Sequence, residues 1–351
     1  MGGNLNPSSA GSGTGFDEVG GTVVCLCLDF KCLLWEAYGL FTNLSVEISL
    51  KNQKLSLLAV VSACLLALSG CAPSGGGDSS SNSDTEESKE NIVFNYRFHE
   101  SLPSEWTAEV PKIFNNLEQI TPTPQVSWFP SSLNVYAWVD NVSRPFGEQY
   151  SGICICGNGE EFWMSLEMPA YDLASENIFK YSVIAHEYFH VYQATLFENF
   201  VKSSNDPNGF DIYWLKEGSA EAFQSLYAQL YYGVNVFSEH AGEFINEGNL
   251  SEPSNYESYN IEDRNGVGLF LTLALVKELE ANGASTENAF KIVLKDFWLN
   301  NPSNLNWKTK FQEVFGFDVE SFYSNLSKYS ADPSNVYPST EVTLQNIFIA
   351  E

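Results

Sequence analysis

Apolar and polar positions follow two different rhythms along this chain. Between residues 126 and 168 they alternate over short runs, so that 126–128, 134–140, 153–156 and 162–168 read as strands. Gly157-Asn158-Gly159-Glu160 separates the last two and predicts a hairpin. A helical pattern covers 105–117, before these strands, and from Ser175 onward the rhythm is helical throughout, with segments at 176–200, 213–232, 265–281, 286–299, 306–315 and 318–329. Strands followed by a run of helices predict an α+β fold, with 91–351 forming one unit and no internal repeat.

Two apolar features define the expected core. Gly266 to Leu279 is apolar nearly all round, through Val267, Leu269, Phe270, Leu271, Leu273, Leu275 and Val276, and should be a central buried helix. The aromatics Phe290, Phe297, Trp298, Trp307, Phe311, Phe315 and Phe322 recur at helical spacings and read as packing residues.

The first ninety residues have a different character. Lys51 and Lys54 precede an apolar run at 55–68, and Leu68-Ser69-Gly70-Cys71 follows. The run is short for a membrane span and has the parts of a secretory signal, while the small residues before Cys71 resemble a bacterial lipoprotein cleavage box in which that cysteine carries lipid. On this reading 51–71 is the leader and 72–90, rich in Ser, Gly, Asp and Glu, a flexible tether. The remainder is then expected outside the cytoplasm, in a bacterial cell envelope, held to the membrane through its lipid. Residues 1–50 are an uncertain extension, and we expect a mispredicted start, with true initiation near 44–50.

Charge narrows the partners. Forty-four acidic residues against 17 basic ones give a net charge of -27, which repels a phosphate backbone and excludes general nucleic-acid binding. Of the seven cysteines only Cys154 and Cys156 lie beyond residue 71. They sit on one face of a predicted strand, and their one-residue spacing suits neither zinc nor redox chemistry, so they read as small apolar residues. With only four histidines in 351 residues, each candidate ligand is traceable.

Two of those histidines carry the chemistry. His186-Glu187-Tyr188-Phe189-His190 has the H-E-x-x-H pattern inside a helical stretch. Histidines at i and i+4 lie about 5–6 Å apart at Cβ on one helical face, close enough for both rings to approach one Zn²⁺ at about 2.0–2.1 Å. Glu187 would then flank an open metal position and act as general base toward a zinc-activated water. Downstream, Trp214-Leu215-Lys216-Glu217-Gly218-Ser219-Ala220-Glu221 places two carboxylates at i,i+4 on another helix, so that one can ligate metal while the other orients a histidine. Two histidines and one glutamate form a catalytic zinc set that leaves room for water. His99 and His240 have no ligand-spaced partner and read as structural or exposed.

These two motifs resemble those of the gluzincin metallopeptidases of the peptidase MA-like type, over roughly residues 178–330. The resemblance implies a zincin-like fold and zinc-dependent cleavage of peptide or protein substrates. It makes Glu217, the Glu before Gly, the third zinc ligand beside His186 and His190, and Glu221 a buttress of the site. Gly266 through Leu279 matches the family's following apolar helix, and Phe311-Gln312-Glu313-Val314-Phe315-Gly316 with Phe322-Tyr323 its helical ending. The Gly-x-Met-Glu-Asn motif of the aminopeptidase members is replaced by Ser165-Leu166-Glu167-Met168-Pro169, so endopeptidase action is expected. An oxyanion-stabilising Tyr just before the apolar helix is also missing, since Asp263-Arg264-Asn265 precede Gly266, and Tyr259 is the nearest candidate for that role. Strand 162–168 is expected to form an edge that binds extended substrate by β-addition. The alternative function is a surface binding lipoprotein that keeps the fold without catalysis.

Overall fold

The structure is a computed structural model that describes residues 90–158, 161–202, 206–237, 250–259, 266–330 and 332–349, together with the backbone of 24–28. Val24–Leu28 and the chain from Glu90 onward form one compact unit. It is mixed α+β, with a small sheet on the amino-terminal side and a mainly helical carboxy-terminal half. The leader, the tether, Cys71 and His240 lie outside the described residues.

The sheet has the strands β1 (Val24–Leu28), β2 (Val93–Phe98), β3 (Ser132–Val139), β4 (Ile153–Gly157) and β5 (Phe162–Met168). Their spatial order is β1-β4-β5-β3-β2. Helix α1 (Ser104–Ile120) connects β2 to the parallel β3, while β4 and β5 form an antiparallel hairpin inserted beside β3. Strand β2, which the sequence reading passed over, does alternate, with Phe94, Tyr96 and Phe98 half-buried against the core and the residues between them exposed. Residues 126–128, expected as a strand, are a turn whose Trp128 indole donates to the Ala194 carbonyl at 2.8 Å.

Strand β5 is not an edge, because β3 and β4 flank it on either side. The outer partner of the hairpin is β4, and β1 pairs with it antiparallel, Leu26 opposite Ile155. Alternation along β4 gives the sheet two faces: Ile153 and Ile155 join the main core, and Cys154 and Cys156 pack with Trp163, Tyr136 and Tyr150 on the other side. Expected as free apolar side chains, these two cysteines are joined in a disulfide. The reason is geometric, since i and i+2 on a strand share a face and their Cα separation of 5.5 Å is within disulfide range.

The helical half is organised around three long helices. Helix α2 (Phe179–Leu196) begins where Asn177 Oδ1 accepts from the Phe179 amide at 2.9 Å, and it ends where Phe197 turns extended. Every residue from Ser182 to Thr195 is buried, because α1, the sheet and α3 (Tyr213–Tyr232) surround it. Helix α3 stops at Gly233, whose φ of 68° is the left-handed geometry glycine adopts freely. Helix α4 (Val267–Ala281) is the apolar central helix and lies against α3.

The α3–α4 contact is tightest at two glycines. A Cβ placed on Gly218 would fall inside the backbone carbonyl of Gly268 and 2.6 Å from Thr272 Oγ1. The absence of a side chain at the residue after Glu217 is therefore what lets the two helices close, and their closure sets the position of Glu217. Shorter helices, including Trp307–Phe315 and Val319–Asn325, pack Phe311 and Phe322 against Trp214 of α3, while Phe315 stacks on Phe297.

Candidate metal centre

His186 and His190 project from α2 toward Glu217 on α3, and all three are buried. Oε2 of Glu217 lies 3.3 Å from His186 Nε2 and 3.1 Å from His190 Nε2, and the two Nε2 atoms are 3.2 Å apart. Three donors held about 2.0–2.1 Å from one tetrahedral ion would stand roughly 3.3 Å from one another, so this triangle has the dimensions of a tetrahedral face. The structure thus brings together a buried His-His-Glu group able to hold a metal ion.

The opposite ring nitrogens are engaged by residues that the sequence reading did not single out. Gln224 Oε1 faces His186 Nδ1 at 3.2 Å, and Gln193 Oε1 faces His190 Nδ1 at 2.8 Å. Each amide oxygen accepts an Nδ1–H, leaving Nε2 as the lone-pair nitrogen aimed at the centre, which is the tautomer a metal needs. Gln224 is in turn fixed by donating to Ser182 Oγ at 3.0 Å. Helical spacing could have flagged both, since Gln193 is three residues after His190 and Gln224 is two turns after Glu217.

Glu221 does not orient a histidine. Its Oε2 accepts from the Leu269 amide at 3.0 Å, tying α3 to the unsatisfied first turn of α4. The i,i+4 spacing does put both carboxylates on one side of α3, but Glu221 is a full turn farther along and meets the end of α4 instead. Tyr259 does reach the centre, and its hydroxyl donates to Oε1 of Glu217 at 2.6 Å. His99 stays apart, its Nδ1 3.0 Å from Ser101 Oγ. Glu167 accepts from the Gly152 amide at 2.8 Å.

Electrostatics divides the carboxylates. Burial would raise Glu217, but the two facing imidazoles hold it well below the usual range. Burial pulls His186 down, while in His190 the facing Glu217 charge outweighs burial and raises it. Without metal, the Glu217 carboxylate thus favours a proton on His190 over one on His186. Glu187, next to His186 on α2, is pushed up to about 8 by burial; His190 opposes this, Glu217 adds to it and the β4 amide of Ile155 weakly opposes it. That amide falls short of hydrogen-bond geometry, and neither carboxylate oxygen has another partner. A buried, unpartnered carboxyl beside a metal-sized donor triangle is poised to exchange a proton with whatever enters.

Comparison of the chain with family models, curated proteins and solved structures finds no match in any of the three. Among the described residues no helix is long and apolar enough to cross a membrane.

Proposed function

We propose that this chain is a zinc-dependent peptidase of zincin-like, gluzincin type. One observation carries the reading: His186, His190 and Glu217 converge with metal-ligand spacing, while the unpartnered Glu187 sits on the same helix as the two histidines. Bound there, zinc would acidify a water and polarise a peptide carbonyl. Glu187 accepts the proton of the attacking water and returns it to the departing amine, a role suited to a carboxyl whose pKa is near neutrality. Gln193 and Gln224 keep the imidazoles in the ligating tautomer. Tyr259, whose hydroxyl donates to Glu217 Oε1, is the candidate that would turn to stabilise developing negative charge. An extended substrate adds to β4, the hairpin strand whose Ile155 amide lies near Glu187.

We further propose that the protein works outside the cytoplasm, anchored through lipidated Cys71. Cleavage there would remove β1 and free the outer edge of β4. Engagement of the Tyr259 hydroxyl with Glu217 favours a second reading, a binding lipoprotein that holds zinc without cleaving.

The test is elemental analysis of protein purified without added metal, with a peptide-library digest by the wild type and by Glu187→Gln. Stoichiometric zinc in both and cleavage by the wild type alone are expected. Zinc with no cleavage selects the second reading, and undiminished cleavage by Glu187→Gln rejects the role given to Glu187.

A further inference from the structure

Lys216 precedes Glu217 on α3, and it is buried to 1% exposure. Its Nζ has no hydrogen-bond partner. The ammonium lies 4.6 Å from the centre of the Phe200 ring and 5.8 Å from that of Tyr259. Tyr259 is the residue whose hydroxyl holds Glu217, so the lysine head is one aromatic ring away from the donor triangle. Its position is fixed from behind, because the Lys216 carbonyl accepts from Gln193, the same side chain that faces His190.

Burial works against this charge, and the two carboxylates that oppose burial, Glu217 and Asp211, make no ion pair or hydrogen bond with Nζ. Oxygen Oε2 of Glu217 is shared by the two histidines and Oε1 by Tyr259. Two ring faces stabilise an ammonium but leave its three N–H donors unsatisfied, and a buried unpaired charge is costly to maintain. A carboxylate fits both deficits, since it is an anion that accepts several N–H bonds in a site shielded from water.

We propose that Lys216 is the anion-recognising group of this site and selects peptides that present a carboxylate next to the scissile bond. This rests on the peptidase reading and names its substrate class. The carboxylate can come from the free carboxy terminus of a peptide or from an Asp or Glu side chain. Selection acts through an ion pair formed in a dry, aromatic-walled position, where it discriminates against the neutral amide more strongly than a surface lysine could.

The experiment measures binding by calorimetry to zinc-loaded Glu187→Gln protein, which holds peptides without consuming them. Three N-acetylated tripeptides are compared: one sequence with a free carboxy terminus, the same sequence as a carboxamide, and that carboxamide with one internal residue replaced by Glu. At least tenfold tighter binding of one acidic form over the neutral carboxamide is expected, and the form that gains identifies the source of the carboxylate. Adding Lys216→Met should collapse the difference, and Lys216→Arg should keep most of it. Equal binding of all three peptides to the protein with Lys216 intact overturns the proposal, a result that needs no variant at position 216 to fold. Zinc content measured on the same samples separates the two claims. Protein that takes up no zinc yet prefers a carboxylate defeats the peptidase reading alone, whereas zinc-loaded protein with no preference defeats only the role of Lys216.

Discussion

Tyr259 donates to Glu217 Oε1 at 2.6 Å while the other oxygen of that carboxylate faces both histidines, so one side chain sets the orientation of the candidate third ligand. Tyr259→Phe removes this donor without changing the ring. Zinc affinity should fall about tenfold to a hundredfold, the usual cost of losing a partner of a metal ligand. If the hydroxyl also serves the reaction, kcat should drop by about a hundredfold or more with zinc saturating. Competition titration against a chelator and steady-state kinetics separate the two effects.

Gln193 and Gln224 make an independent pair of predictions. Replacing either with Ala frees an imidazole to rotate or change tautomer, and each change should weaken zinc binding by about tenfold to a hundredfold. Glu at either position should retain more affinity than Ala, because it still accepts the Nδ1–H. Unchanged affinity in both Ala variants would show that packing alone holds the rings.

Steric exclusion at Gly218 predicts a stability effect rather than a chemical one. Gly218→Ala forces a methyl into the Gly268 carbonyl and should destabilise by about 1–3 kcal/mol or more, with Glu217 displaced as α3 and α4 separate. Gly268→Ala meets its nearest neighbours at 3.3 Å and should cost less. Thermal unfolding and zinc content, measured together, report both consequences.

Glu221 predicts how metal-free stability depends on pH. Burial raises its folded pKa to about 8, with Glu217 adding to the shift and the Leu269 amide opposing it. A carboxyl with a raised folded pKa contributes stability that is full below its unfolded value and is lost as pH rises through the folded one. Wild-type protein should therefore lose stability between neutral pH and pH 9, by on the order of 1 kcal/mol from this group. Glu221→Gln, which cannot ionise, should flatten that part of the curve in denaturant titrations.

Zinc uptake should release a proton. His190 is raised and Glu217 lowered in the metal-free pair, so the site favours protonation of an imidazole that must be neutral to ligate. Affinity for zinc is expected to fall as pH drops through the raised His190 pKa, and titrations in buffers of different ionisation heat count the proton released. An affinity independent of pH across that range would contradict the assigned protonation.

What was legible in the sequence was local. Period-2 and period-3.6 patterns located β3, β4, β5 and the long helices, because burying one face writes that period into the chain. His186 and His190 were paired by spacing within a single helix, a relation that needs no tertiary information. Their meeting with Glu217, more than a helix away, was expected from a motif and is present in the structure as three donors within 4.8 Å.

The remainder depended on how elements meet. Only the parallel pairing of β2 with β3 makes the short alternation of Phe94, Tyr96 and Phe98 a strand, and β5 became interior only because other strands flank it. Glu221 and Tyr259 could be ranked by sequence distance, but only the closure of α3 on α4 at Gly218 and Gly268 decided that one joins the Leu269 amide and the other Glu217. Helical spacing says which side chains share a face, while the approach of a second element decides what that face touches. The sequence alone therefore determined the donors and their two helices, and tertiary packing decided the partners that orient them and the burial that shifts their protons.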